Sequence, residues 1–360
     1  MSQKSLSSLD LAALMEELRF LKRSKISQIY HQDKEVLLQL HLSGQGKQLL
    51  RIVAGGFLCL TQKKDVPQIP SSFCLQLRKH LDGAIIKDFY QKDAERIVVF
   101  ELIKQEKYFL IVELFSKGNF ILTDEKYTII GVLEPQVWKD RTVKVKESYI
   151  FPKPNPNWKT VSEEELRKIM QKSEKRNVAT TLATELGMGG MYAEEICHRA
   201  NINKDLLPKE MSAKDCYAIA KVVHDFLKLI VEPQGYVYLE GITAFPLVQK
   251  EPLQHKKTLS EVVDTLSLRK KDSPYQKKII SLQTMIHEQE KSLQNSASGI
   301  EGNTFKANLI YEKYQPISKL LSIVKEMKKT KDWSEVESEL KKEKRIKKID
   351  LKNKKIILDL

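Results

Sequence analysis

Between Thr181 and Asn203 the chain reads TLATELGMGGMYAEEICHRANIN, a stretch that leaves its backbone little choice. Val178, Leu182 and Leu186 recur every four residues, which places them on one face of a helix. Gly187, Met188, Gly189 and Gly190 interrupt that helix, because glycine admits the positive φ values a tight reversal needs. A second helix is expected from Met191, with Glu194 and Glu195 in its first turn, where acidic side chains suit the helix dipole. Two short helices are thus pinched around a glycine hairpin, with backbone N–H groups turned outwards.

Composition narrows what that hairpin is for. The 360 residues exceed one ordinary domain, so two or more units are expected. A formal charge of +14 favours an anionic partner, and nucleic acid is the commonest one for a large chain. In that setting the pattern resembles a helix-hairpin-helix, whose amides approach phosphate as helix N-termini do. A packing corner with no ligand uses the same residues, so both readings stay open. The charge is concentrated late: Arg269 to Leu360 holds 22 Lys and Arg against 13 Asp and Glu. No apolar run approaches the ~18 residues of a membrane span, and MSQKSLSSLD lacks a signal-peptide core. A cytoplasmic chain with no membrane partner is expected. Cys59, Cys74, Cys197 and Cys216 form no C-x-x-C pair, so buried reduced thiols are expected. The histidines are scattered and no P-loop occurs, so neither a metal nor a cofactor is expected.

Patterning predicts an α+β domain over 1–160. A helix capped by Ser7 or Ser8 leads into four strands; a second helix, capped by Ser71 or Ser72 and stopped by Gly83, leads into four more. The proline-rich YIFPKPNPNW reads as a linker. An all-α domain holding the hairpin is expected over 161–235, return strands and a connector over 236–268, and an antiparallel coiled coil over 269–330. Its two arms would join at the polar NSASGIEGN, with a kink or helix start at Pro316. Residues 331–360 look like the start of a further domain, with a strand hairpin turning at Lys352-Asn353.

Five blocks in order carry a resemblance: SSLDLAALMEEL, LRKHLDGAIIKDFYQKDAERIVVFEL, VELFSKGNFILTD, YIFPKPNPN and LGMGGMYAEEICHRANI. Together they resemble the NFACT family, which includes ribosome quality-control factors and proteins described as fibronectin-binding. The resemblance implies an NFACT-N domain akin to the N-domain of formamidopyrimidine-DNA glycosylases, then a helix-hairpin-helix domain and a coiled coil. The family usually continues into an NFACT-R domain, so a fragment or short form lacking that domain is expected. It implies binding to the large ribosomal subunit carrying stalled peptidyl-tRNA and recruitment of tRNA, chiefly alanyl-tRNA, for template-free tailing of the nascent chain. The ribosome does the chemistry, so the chain is not expected to be an enzyme.

The same resemblance implies tRNA handling by an aspartate in the first helix, matched by Asp10. It implies a further role for an Asp-Arg pair opening a strand, matched by Glu95-Arg96 with one extra methylene. Arg78 and Lys79, with His80, could line the same surface or face solvent. Gly187, Gly189 and Gly190 would let amides approach phosphate. Lys277, Lys278, Lys328 and Lys329 are candidates for salt-sensitive contact with rRNA phosphates. Asn119 most simply serves a strand turn, and Tyr311 and Tyr314 seam packing. Three alternatives stand beside this reading. The first is a fibronectin- or fibrinogen-binding adhesin. The second is an adaptor whose coiled coil recruits a partner such as a ubiquitin ligase. The third is a glycosylase-like enzyme, which the absence of an N-terminal proline nucleophile disfavours.

Overall fold

In a computed structural model of the chain, the described residues are 6–138, 141–266, 274–330, 335–336, 340, 346–350 and 355–358. They fall into two compact units divided after residue 271.

The first unit begins with α1 (Ser8–Glu17), a 3-10 turn (Leu18–Leu21), and strands β1 (Lys25–Gln32), β2 (Glu35–Leu42), β3 (Gly46–Val53) and β4 (Phe57–Leu60). Next come α2 (Ser72–Leu81) and strands β5 (Ile85–Gln91), β6 (Ile97–Ile103), β7 (Lys107–Glu113), β8 (Asn119–Asp124) and β9 (Ile129–Val132). The nine strands form one antiparallel sheet in the order β4-β3-β2-β1-β5-β6-β7-β8-β9. Ser7 and Ser71 are the N-caps, each accepting from the N–H three residues on, and Asp10 completes a capping box with Ser7.

The sheet is two matching halves. Each is a helix followed by an antiparallel meander, and the strands of the two halves pair where β1 and β5 begin, at Lys25 opposite Ile85. Ile26 to Asp33 and Ile86 to Asp93 align residue by residue, and both strands bulge just after the opening isoleucine. Side chains cross between the halves: His31 at the end of β1 meets Ser71 Oγ at 2.7 Å, and Gln91 at the end of β5 donates to Ser8 Oγ at 3.1 Å. The far turns also meet, Gly55 N–H donating to Glu113 O at 3.0 Å. Leu11, Leu18, Phe73 and Leu77 fill the space between helices and sheet, while Ile97, Ile111, Ile121 and Tyr149 bury its other face.

A two-stranded ribbon, β10 (Gln136–Val137) with β11 (Thr142–Val143), leads to the helices α3 (Glu163–Lys172), α4 (Val178–Glu185), α5 (Gly190–Arg199) and α6 (Ala213–Leu229). Ser162 with Glu165 and Ser212 with Asp215 form capping boxes that start α3 and α6. Short strands β12 (Gly235–Val237), β13 (Ile242–Thr243) and β14 (Gln254–Lys256), then α7 (Leu259–Val263), close the unit. Residues 151–157 do not separate two bodies. Leu6, Leu9 and Ala13 from the α1 region share one core with Val178, Leu182, Ile196 and Phe226 of α4, α5 and α6. The reason lies in α1, which is buried on both sides and has a face for each core. Glu17 adds a polar tie by accepting from Leu259 N–H at 2.6 Å, capping α7 from α1. All four cysteines are buried free thiols.

In the second unit the structure departs from expectation. α8 runs unbroken from Pro274 to Glu312, straight through NSASGIEGN, so no hairpin turn occurs there. Its 39 residues span about 58 Å. Two glycines cost a helix roughly 1 kcal/mol each, too little to end one flanked by good helix formers. The interruption falls at Lys313, and α9 (Tyr314–Thr330) places Pro316 in its first turn, where a missing N–H is tolerated. Leu282, Ile286, Leu293, Ile310 and Leu321 of the expected seam are exposed, as are Tyr311 and Tyr314. β15 (Ile346–Asp350) pairs with β16 (Lys355–Leu358) as expected, while the turn at Lys352-Asn353 lies outside the described residues.

Candidate nucleic-acid interface

A cleft of about 730 Å³ separates the turn end of the sheet from the glycine hairpin. One wall holds Ser7, Ser8 and Asp10 from the start of α1, with Ala94, Glu95 and Arg96 from the β5–β6 turn; the other holds Ala183 to Tyr192 without Glu185. The structure thus brings Asp10, Glu95, Arg96, Gly187, Gly189 and Gly190 to one place.

Asp10 is 1% exposed, and both its oxygens are occupied. Oδ2 accepts from Ser7 N–H at 3.1 Å and Ser7 Oγ at 2.7 Å, and Oδ1 accepts from the Tyr192 hydroxyl at 2.5 Å. Burial raises its pKa from 3.8 to about 6, with the Tyr192 and Ser7 hydrogen bonds opposing. Tyr192 in turn accepts from Ala244 N–H at 2.8 Å. Ser8 is a second hub. Its hydroxyl donates to Ala94 O and accepts from Gln91 Nε2 and from Trp158 Nε1, the last at 2.8 Å. This fixes the turn that presents Glu95 and Arg96.

Glu95 and Arg96 are half-buried. Glu95 Oε1 accepts from Asn155 N–H at 2.6 Å, which pins the proline-rich segment to the cleft edge. Burial lowers the Arg96 pKa, and the neighbouring Glu95 carboxylate opposes that shift. A guanidinium held in a concave, partly desolvated site suits a phosphate or a base edge.

On the opposite wall α5 begins one residue earlier than expected, at Gly190, with Gly189 as its N-cap and no side chain capping it. Gly189 has φ +84°, and a Cβ added there would lie 3.3 Å from Ser7 Cβ, so the hairpin touches the cap of α1 at this point. Gly187 and Gly190 have open space where a Cβ would sit. Glu194 and Glu195 fall beyond the first turn of α5, so they do not act on its N-terminus. Glu194 pairs with Lys204 at 3.1 Å, and Glu195 with Arg199 at 2.6 Å while accepting from Val248 N–H.

Arg78 and Lys79 do not line the cleft. They lie on α2, where Arg78 Nε donates to Ile29 O at 2.8 Å and its guanidinium sits over the Tyr30 ring. Asn119 is fully buried and bridges to Glu134 through both its amide atoms, which ties the start of β8 to the segment after β9. In the second unit Lys278 and Lys329 are exposed, and the side chains of Lys277 and Lys328 lie outside the described residues. Sequence reasoning missed Tyr192, Ser8, Gln91 and Trp158, whose partners are distant along the chain. Among the described residues no helix is long and apolar enough to cross a membrane.

The chain is 26% identical over 365 residues to the archaeal Rqc2 homolog aRqcH of Methanocaldococcus jannaschii, covering 93% of this chain and 54% of that one. It is 28% identical over 260 residues to the Rqc2 homolog RqcH of Bacillus subtilis, covering 67% and 44%. Human NEMF, a ribosome quality control complex subunit, is 24% identical over 336 residues, covering 89% and 30%. The chain therefore spans about half the length of the archaeal relative, and less of the other two. In fold it is similar to the fibrinogen binding protein of Staphylococcus aureus, with TM-score 0.61 and 21% identity over 74% of this chain and 99% of that one. It is also similar to the N-terminal part of the fibronectin/fibrinogen-binding protein of Streptococcus suis, with TM-score 0.59 and 24% identity over 72% and 98%. The model of the NFACT N-terminal and middle domains matches residues 7–357, nearly the whole chain, which therefore belongs to the NFACT family.

Proposed function

We propose that this chain is a ribosome quality-control factor that docks on a large ribosomal subunit holding a stalled peptidyl-tRNA and brings a further tRNA, chiefly alanyl-tRNA, for template-free extension. It positions RNA and catalyses nothing; peptide bonds form in the ribosome. The observation that carries the reading is the cleft in which Arg96, Glu95 and the uncapped start of α5 face one another. A cation, an acceptor and outward backbone amides together suit a phosphate beside a base edge. The names of the relatives support the quality-control setting. Exposed lysines of the long helices, Lys278 and Lys329 among them, supply contacts with rRNA that weaken as salt rises. The exposed seam of α8 and α9 offers a place for a protein partner, such as a ubiquitin ligase. The work is cytoplasmic.

The test is crosslinking of the protein in cells, followed by sequencing of bound RNA and sedimentation with subunits. Enrichment of tRNA and large-subunit rRNA, lost from Arg96→Ala for tRNA alone, is expected. Recovery of neither above background overturns the proposal.

A further inference from the structure

Building on the tRNA reading of the cleft, we infer that Tyr192 is a positioning residue whose hydroxyl latches the glycine hairpin to Asp10, and that Asp10 influences RNA through this latch without touching it. Asp10 lines the cleft but is 1% exposed, and its oxygens are taken by Ser7 and Tyr192. An ionised carboxylate only accepts, so the Tyr192 proton points at Asp10 and the phenolic oxygen keeps a lone pair for Ala244 N–H. One hydroxyl therefore joins the start of α1, the first turn of α5 and the segment after β13.

The Tyr192 ring is 1% exposed and packs on Phe245 at 5.2 Å and Phe226 at 6.3 Å, so the hydroxyl has one available position. Three residues before Tyr192, Gly189 lies against Ser7. The distance between the Glu95-Arg96 wall and the α5 amides is thereby set at Tyr192. A ligand that bridges both walls reads that distance, although it meets neither latch atom.

Tyr192→Phe keeps the ring packing and deletes the latch. It leaves the Asp10 carboxylate facing an apolar edge and Ala244 N–H without its acceptor, whereas Asp10→Asn in the same background removes the stranded charge. The experiment is a double-mutant cycle on tRNA binding by the full chain, using Tyr192→Phe, Asp10→Asn and both, with folding followed by circular dichroism. Tyr192→Phe is expected to weaken binding roughly tenfold, within the range for residues that modulate a site without contacting its ligand. The double variant is expected to bind at least as well as Tyr192→Phe. A Tyr192→Phe variant that binds like the parent, or losses that multiply in the double variant as for an Asp10 that grips RNA itself, overturns the inference.

A second measurement works without RNA. Spin labels at Thr184→Cys and Asn155→Cys, both exposed on opposite walls, should give one narrow distance in the parent and a broadened one in Tyr192→Phe. An unchanged distribution also overturns it. If the parent captures no tRNA while the label distance broadens, the latch stands and the tRNA reading falls.

Discussion

Gly118 presses onto Gly55 so closely that a Cβ built on Gly118 would lie 1.8 Å from the Gly55 nitrogen. The contact joins the β7–β8 turn to the β3–β4 turn, which brings the two halves of the sheet together at the end that carries the cleft. With φ +68°, Gly118 also occupies a backbone region that a side chain disfavours. Gly118→Ala should cost at least about 3 kcal/mol, strain and overpacking together. Urea unfolding checks this, and a loss under 1 kcal/mol would show that the turns can part freely.

Glu113 and Arg141 form a buried ion pair at 2.8 Å, both under 10% exposed, with the Tyr149 hydroxyl donating to the same carboxylate oxygen at 2.8 Å. Arg141→Met strands the carboxylate and should cost about 3 to 5 kcal/mol. Pairing it with Glu113→Leu should recover much of that loss. A double variant as unstable as the single one would mean that stacking of the Arg141 guanidinium on Trp138, and not its pairing with Glu113, holds the ribbon in place.

Asp10 makes stability depend on pH with a definite sign. Its carboxyl holds a proton more tightly when folded, at about 6 against 3.8, so its contribution is full below pH 3.8 and is lost as pH rises through 6. Between pH 4 and 7 the parent should lose on the order of 1 to 3 kcal/mol relative to Asp10→Asn. Unfolding midpoints of the two proteins across that window supply the difference. A difference that grows in favour of the parent with rising pH contradicts the assignment.

Gly190 separates packing from ligand contact. A methyl group there meets nothing within 4 Å, and alanine favours a helix over glycine by about 1 kcal/mol. Gly190→Ala should therefore leave the melting temperature unchanged or raised. If the amides of α5 approach RNA phosphate, the same change should weaken tRNA binding about threefold to tenfold through the lost space. Equal affinity in filter binding would assign the hairpin to packing alone.

Local chemistry made much of the fold legible. The caps Ser7 and Ser71, eight of the nine strands of the large sheet and both short helices of the hairpin followed from side-chain type and period. β9 was missed because Ile129 to Val132 is too short to show alternation. The polar residues of NSASGIEGN suggest a turn, yet polarity governs exposure more than helicity, and the helix runs on. Asp10, Glu95 and Arg96 were reachable only through family resemblance, since their assembly depends on the sheet closing. Tyr192 had no signal at all: its partner Asp10 is 182 residues away, and a lone tyrosine on an apolar helix face looks like core.

The paired halves of the sheet supply an internal control that homologues would otherwise have to provide. At the third position of α1 stands Asp10, and at the matching position of α2 stands Cys74, whose thiol donates to Ile29 O at 3.3 Å. The same scaffold is thus built once with a carboxylate and once with a neutral thiol. Architecture alone does not demand a charge at that point. The desolvation that Asp10 suffers is a burden peculiar to one copy, and it falls where the pseudo-symmetry of the sheet meets the cleft.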